Sequence, residues 1–407
     1  MKLRYLPTLV LWLISLTINA GDFDQQQPFG FCTRTSRTST DSLYAFRVTG
    51  GGCYSYPVTG VDSNRVVTLT STGKEMDSDI SEAIQQYDII IFDGSQGDFI
   101  VSTTIPIVKL SNKTLLGINQ ARLCTKWHIT QNILDMLNAA GVPYMSTSSG
   151  GGILTNGHYV REQAEYNTRQ MIINLTGDNR ETYRGSGIFF FNGCQNLIVR
   201  NLQFVGPGSI DVGGSDLVTF FGTKNSWVDH CDFIDGMDGN FDITQKSDFN
   251  TVSWCTFSYS NRSYMHQNTN LIGSSDREAL GYLNTTFAFN HWGANCKARM
   301  PMARVGLVHM LNNYFTCVGC GSCVNPRNNS EFRIEGNYFA KGVKHYYSQT
   351  NAVAVTWTSN NYVAESGGHK LPSSVGATVI LPYSYKVADC SVVPTEVGTY
   401  AGATLYK

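Results

Sequence analysis

A chain of 407 residues with 30 Lys and Arg against 31 Asp and Glu has a formal net charge of −1 and lacks the basic field a nucleic-acid binder needs. Charged residues make up only 15% and hydrophobic residues 42%, a balance that excludes a disordered chain and suits extensive buried sheet. The start, with Met1, Lys2 and Arg4, an apolar run over Leu9–Leu16 and a small residue at Ala20, has the order of a secretory signal peptide (residues 1–20). That apolar run is too short to span a bilayer comfortably, so no membrane span is expected after processing. The remaining residues, 21–407, exceed a typical single compact core, yet an elongated solenoid escapes that limit because its core grows along one axis.

In chain order, Ser78–Tyr87 has helical spacing at Ile80, Ala83 and Ile84, with Asp77 or Ser78 placed to cap it. This short helix is expected to cover an open solenoid end, which would otherwise aggregate. Asp88–Asp93 and Ile105–Leu110 read as strands, Lys126–Ala140 as a second, outer helix, and Ser146–Gly152 as a loop. A repeat follows. Segments rich in β-branched and aromatic residues end at Phe204, Phe233, Phe257, Trp292, Phe315, Phe339 and Val363, between 23 and 35 residues apart. Two positions before each end stands Leu202, Cys231, Cys255, Asn290, Asn313, Asn337 or Asn361. A column of asparagines one coil apart suits stacked turns, where each amide bonds the next rung. The period is too long for hairpins and carries no leucine-rich signature, so a parallel β-helix fits best, with the longer steps as loops extruded from the coil.

Chemistry concentrates in two places. Asp229, Asp232, Asp235, Asp238 and Asp242 form a dense acidic cluster with Asp211 and Asp216 just ahead of it. In Asp238-Gly-Asn-Phe-Asp242 a period of two puts Asp238, Asn240 and Asp242 on one face and Phe241 and Ile243 on the other. With Asp216 from the preceding coil these make a hard oxygen site suited to calcium, while a solvated acidic loop is the plainer reading of the cluster alone. Arg299-Met-Pro-Met-Ala-Arg304 enters a strand two repeats later, on the same side of a solenoid. Acid-bound calcium beside fixed guanidinium groups is a logical receptor for a polymer of uronic acids.

Trp227-Val-Asp-His-Cys-Asp-Phe233, Asp238-Gly-Asn-Phe-Asp242, Leu271-Ile-Gly-Ser-Ser-Asp276, Arg299-Met-Pro-Met-Ala-Arg304 and Val308-His-Met-Leu-Asn-Asn-Tyr-Phe315 closely resemble the pectate lyases of polysaccharide lyase family 1. The resemblance covers about residues 45–385 in family order. It implies an all-β, right-handed parallel β-helix and a secreted (extracellular or periplasmic), monomeric, calcium-dependent enzyme. Its implied reaction is β-elimination in polygalacturonate or pectin, leaving 4,5-unsaturated ends. Metal positions carry over to Asp216, Asp238 and Asp242, the proton acceptor to Arg299 and substrate-carboxylate binding to Arg304; Asp229, His230 and Trp254 are assigned to structure. A substrate-binding lysine of the family falls on Asn268, a departure that Arg262, His266 or Lys297 is placed to compensate. Arginine is ordinarily always protonated, so Arg299 either acts through a transient neutral form or only stabilises charge. A pectin lyase, a hydrolase with paired carboxylates and a non-catalytic β-helix are the rival readings.

Eleven cysteines in an exported chain permit disulfides, with one thiol left over. Cys317-x-x-Cys320-x-x-Cys323 lacks the second half of a zinc motif nearby and is read as a loop disulfide plus a spare thiol. Asn174-Leu-Thr176 and Asn284-Thr-Thr286 are glycosylation sequons for a host with that machinery.

Overall fold

The structure, a computed structural model, describes residues 27–139, 154–155, 158–159, 185–209, 214–263, 266–364 and 372–407. The signal-peptide segment, Ser146–Gly152, Asn174 and Asp211 lie outside the described residues. Short β-branched and aromatic segments pair in parallel with their counterparts one coil away and wind into a right-handed parallel β-helix. Three sheets result. The front sheet stacks Ile105–Val108, Phe189–Asn192, Val218–Phe221, Phe241–Thr244 and Leu271–Ile272, then runs into the first half of Met302–Leu311. A second sheet holds Ser111–Ile118, Gln195–Arg200, Trp227–Asp229, Asn250–Ser253 and Thr285–Ala288, and merges with the front sheet through the long strands Met302–Leu311 and Asn325–Glu335. The third runs from Phe99–Val101 to Tyr362–Val363.

The repeat ends predicted from sequence fall in register: Phe204 pairs with Phe233, Phe233 with Phe257, Phe257 with Trp292, Trp292 with Phe315, and Phe315 with Phe339. All six are buried, and their rings stack at centroid distances of 5.2, 5.1, 5.3, 4.8 and 4.5 Å. Each such contact adds about 0.5–1.5 kcal/mol to the burial of the rings. The asparagine column forms as expected. Asn313 Oδ1 accepts from the Asn290 amide at 2.9 Å, Asn337 Oδ1 from Asn313, and Asn361 Oδ1 from Asn337.

Each repeat segment, read as one strand in the sequence, is two strands meeting at a corner. The residue before the column takes the left-handed conformation: Asn201 (φ 57°), His230 (48°), Trp254 (51°), Phe289 (56°) and Asn312 (49°). For bulky residues this is costly, and here stacking offsets it: Trp254 lies on Phe289 at 4.6 Å and His230 on Trp254 at 5.7 Å. A helix over Val393–Tyr400, absent from the sequence reading, covers this corner through Val393, Val397 and Ala401.

At the other end, the helix Asp77–Gln86 buries Ile80, Ala83 and Ile84 as its spacing predicts. Asp77 does not cap it. Its carboxylate accepts from the Ser102 and Thr103 amides instead (3.0 and 2.7 Å), tying the helix to the neighbouring loop. The second helix is shorter than expected, Gln131–Ala139. Asn284 is buried with its amide on Asp248 at 2.7 Å, so that sequon is architectural in the folded protein. No helix among the described residues is long and apolar enough to cross a membrane.

Candidate active site

Parallel register places the acidic residues together. Thr219 pairs with Asp242 across the front sheet, and Asp216 stands one turn ahead of Thr219, whose hydroxyl donates to its Oδ2 at 3.1 Å. Asp242 Oδ1 accepts from the Leu271 amide of the next coil at 2.9 Å. Between the two lies Gly239. A Cβ there would sit 2.6 Å from Asp216 Oδ1 and 3.2 Å from Asp242 Oδ1, so both carboxylates converge on a space that only glycine leaves open. Asp216 Oδ1 is itself buried without a hydrogen-bond partner.

The electrostatics match that geometry. Burial, followed by the charge of Asp238, pushes the Asp216 carboxyl well above the usual carboxylate range against the pull of Arg299. Asp242 is pushed up likewise, by burial and then by Asp216, with Arg299 opposing. Two buried carboxylates facing one pocket resist ionising together, and a hard divalent cation removes that conflict. The donor set therefore fits calcium: carboxylate oxygens, one of them orphaned, around a glycine-lined gap.

Asp238 differs from the pair. It lies in the turn before the strand Phe241–Thr244, and its Oδ1 is 2.8 Å from His266 Nε2. Asn240, expected on the same face, turns inward: its Oδ1 accepts from the Gly236 amide at 2.9 Å and its Nδ2 donates to the Phe233 carbonyl at 3.2 Å. The period-two expectation fails there because Asp238 and Asn240 belong to a tight turn rather than to the strand. Asn268 is 2% exposed, with its amide 2.9 Å from His266 Nε2. Of the residues placed to compensate for it, His266 reaches the acidic cluster, whereas Arg262 donates from Nη1 to the Gly206 carbonyl at 3.4 Å.

The positive charge of Arg299 lowers both the Asp216 and the Asp242 carboxyl, against burial and their mutual repulsion. It sits at φ 61°, and its carbonyl accepts from the Asn270 amide at 2.7 Å and from the Thr269 hydroxyl. Arg304 is fixed from its other side: Nη1 donates to the Gly273 carbonyl at 2.9 Å and Nε lies 3.2 Å from Asp276 Oδ1. Sequence reasoning missed Thr219, the Leu271 amide and Gly239; Thr219 stands three positions beyond Asp216 and is the register partner of Asp242, a pairing visible only once the coils are stacked.

Asp229 lies elsewhere, fully buried under the second sheet. It accepts from Arg200 Nε (2.8 Å) and Ser253 Oγ (2.6 Å), with His230 Nδ1 at 2.6 Å. His230 and Arg200 hold its carboxyl below the usual range despite burial. The other ring nitrogen of His230, Nε2, is buried without a hydrogen-bond partner.

Among solved structures, a Bacillus subtilis pectate lyase variant superposes with a TM-score of 0.57 at 17% identity, over 95% of this chain and 100% of that one. The major allergen from cedar pollen does so at 0.51 and 17%, over 83% and 88%. A probable pectate lyase A of Neosartorya fischeri is 32% identical over 220 residues, 52% of this chain and 63% of the relative. A pectate trisaccharide-lyase of Bacillus licheniformis is 32% identical over 231 residues, 54% and 63%. The chain thus spans about 63% of the length of these relatives. The pectate lyase family model matches residues 154–405, the stretch that carries every aspartate and arginine of the front-sheet site, and the chain belongs to that family.

Proposed function

We propose that this protein is a secreted, calcium-dependent pectate lyase that cleaves 1,4-linked polygalacturonate by β-elimination, with residues 21–407 acting as one domain. The observation that carries the reading is the convergence of Asp216 and Asp242 on the gap beside Gly239, within the field of the Arg299 charge. Asp216, Asp238 and Asp242 would hold calcium, Asp238 turning from His266. The ion, when bound, neutralises a uronate carboxylate and acidifies the adjacent C5 proton.

The rest falls to the chain's own side chains. Arg299, in a transient neutral form, accepts the C5 proton, its backbone held by Asn270 and Thr269. Arg304, braced on Gly273 and Asp276, holds the substrate carboxylate as negative charge develops. Asn268 and His266 set the position of Asp238 rather than supplying the reach of a lysine. Loss of the glycosidic oxygen then leaves a C4–C5 unsaturated end.

The test is ultraviolet absorbance of the unsaturated product from polygalacturonate, with calcium and with a chelator. Calcium-dependent absorbance establishes the reading. New reducing ends without absorbance would mean hydrolysis, and an uncut polymer would leave a binding module.

A further inference from the structure

The loop between the strands Tyr314–Phe315 and Asn325–Glu335 brings three thiols to one point. Cys317, Cys320 and Cys323 are buried, at 0, 3 and 0% exposure, and their sulfurs all lie within 4.8 Å of one another. Cys317 Sγ is 3.6 Å from Cys323 Sγ, and Cys320 Sγ is 3.5 Å from Cys323 Sγ. A disulfide needs about 2.05 Å. Zinc–sulfur bonds of about 2.3 Å make a tetrahedron whose edges measure roughly 3.8 Å, which the separations here approach. The sequence reading, a disulfide with a spare thiol, does not describe this arrangement, in which Cys323 is nearly equidistant from both neighbours.

We propose that Cys317, Cys320 and Cys323 bind one thiophilic d10 cation, zinc, in a structural site separate from the acidic one. Three thiolates supply three of the four ligands and a solvent molecule completes the tetrahedron, while the His345 carbonyl, accepting from the Cys323 amide at 2.9 Å, ties the loop to the next coil. The loop's position explains what such a site does. Met300 Sδ is 3.4 Å from Cys317 Sγ, the Met300 amide donates to the Cys323 carbonyl at 3.0 Å, and the Gly321 amide donates to the Lys297 carbonyl at 2.7 Å. The thiol loop is therefore the backing of the turn that carries Arg299. A metal there fixes a backbone that hydrogen bonds alone otherwise hold, and keeps three thiols from oxidising after export.

The full-length protein, purified without chelator and incubated with zinc, is assayed by elemental analysis, intact mass and thiol titration. One zinc per chain is expected, lost in Cys320→Ser and kept in Asp242→Asn. Cobalt(II) in place of zinc should give a thiolate-to-metal charge-transfer band and intense tetrahedral visible bands in the unmutated chain, a readout independent of whether Cys320→Ser folds. A metal-free protein lighter by two hydrogens would show a loop disulfide and overturn the proposal. Three titratable thiols with no zinc and no cobalt spectrum would overturn it equally.

Discussion

Two regions of the coil carry columns of polar side chains, and they are built on opposite principles. At the corner between the second and third sheets, Asn290, Asn313, Asn337 and Asn361 are neutral; the first three donate to the next side chain of the column, and Asn361 closes it on the Ile334 and Thr358 carbonyls. At the front sheet, Asp216, Asp238 and Asp242 are acceptors only, they repel one another, and one buried oxygen has no partner. The first column completes itself. The second is complete only when something positive arrives, and the free energy withheld from folding there is available for binding.

The contrast breaks most sharply at the front sheet. Arg299→Ala should lower kcat on polygalacturonate by about 10²–10⁴-fold, the usual worth of a positioned proton acceptor, with melting temperature little changed. Asp242→Asn should abolish calcium-dependent turnover while raising the melting temperature of the calcium-free protein. The Leu271 amide keeps an acceptor and the repulsion with Asp216 disappears. Stabilisation by added calcium, read by thermal unfolding, should vanish in the same variant.

The self-completing side responds in stability alone. Phe233→Ala, which empties the middle of the ring stack, should cost about 3–5 kcal/mol in denaturant unfolding. Asn313→Ala leaves the buried Asn290 amide without its acceptor, removes a second bond to the Phe287 carbonyl, and should cost about 3 kcal/mol. The smallest effect is at Glu335. Burial raises its carboxyl, but hydrogen bonds from His309, Arg333 and Tyr385 outweigh that and bring it down to about 2 from an ordinary 4.5. A lowered carboxyl contributes stability above its unfolded value and loses it as pH falls through the folded one, so the loss should run from about pH 4.5 to 2. Glu335→Gln should remove this acid-sensitive contribution, roughly 1–2 kcal/mol after solvent screening.

Legibility in the sequence divided along the same line. The asparagine column and ring stack repeat once per coil, so one sequence displays them several times, and their register was readable from Phe204 to Val363. The acidic trio and the arginine pair were visible as motifs. Their surroundings were not: Gly239 matters only because two carboxylates from different coils aim at it, and His266 reaches Asp238 across a loop with no period. The left-handed corner escaped too, since Trp254 and Phe289 carry no local sign of a conformation that only their stacking on successive coils sustains. The Val393–Tyr400 helix has no counterpart in the repeat.

That helix and the stretch around it reach far back along the chain. The Gly402 amide donates to the Trp254 carbonyl at 2.7 Å, the Leu405 amide to Asn201 Oδ1 at 2.9 Å, and Tyr383 Oη lies 2.7 Å from Thr286 Oγ1. During synthesis each coil can dock on its predecessor as it emerges, a local and rapid event, but these contacts bridge from 97 to 204 residues and wait until the stretch Tyr383–Leu405 has been made. Assembly consequently has an order, winding first and sealing last. In the interval the row from His230 to Phe289 is an open aromatic seam, so variants in Tyr383–Tyr406 should reveal themselves as losses of folded yield through aggregation before they register as losses of architecture.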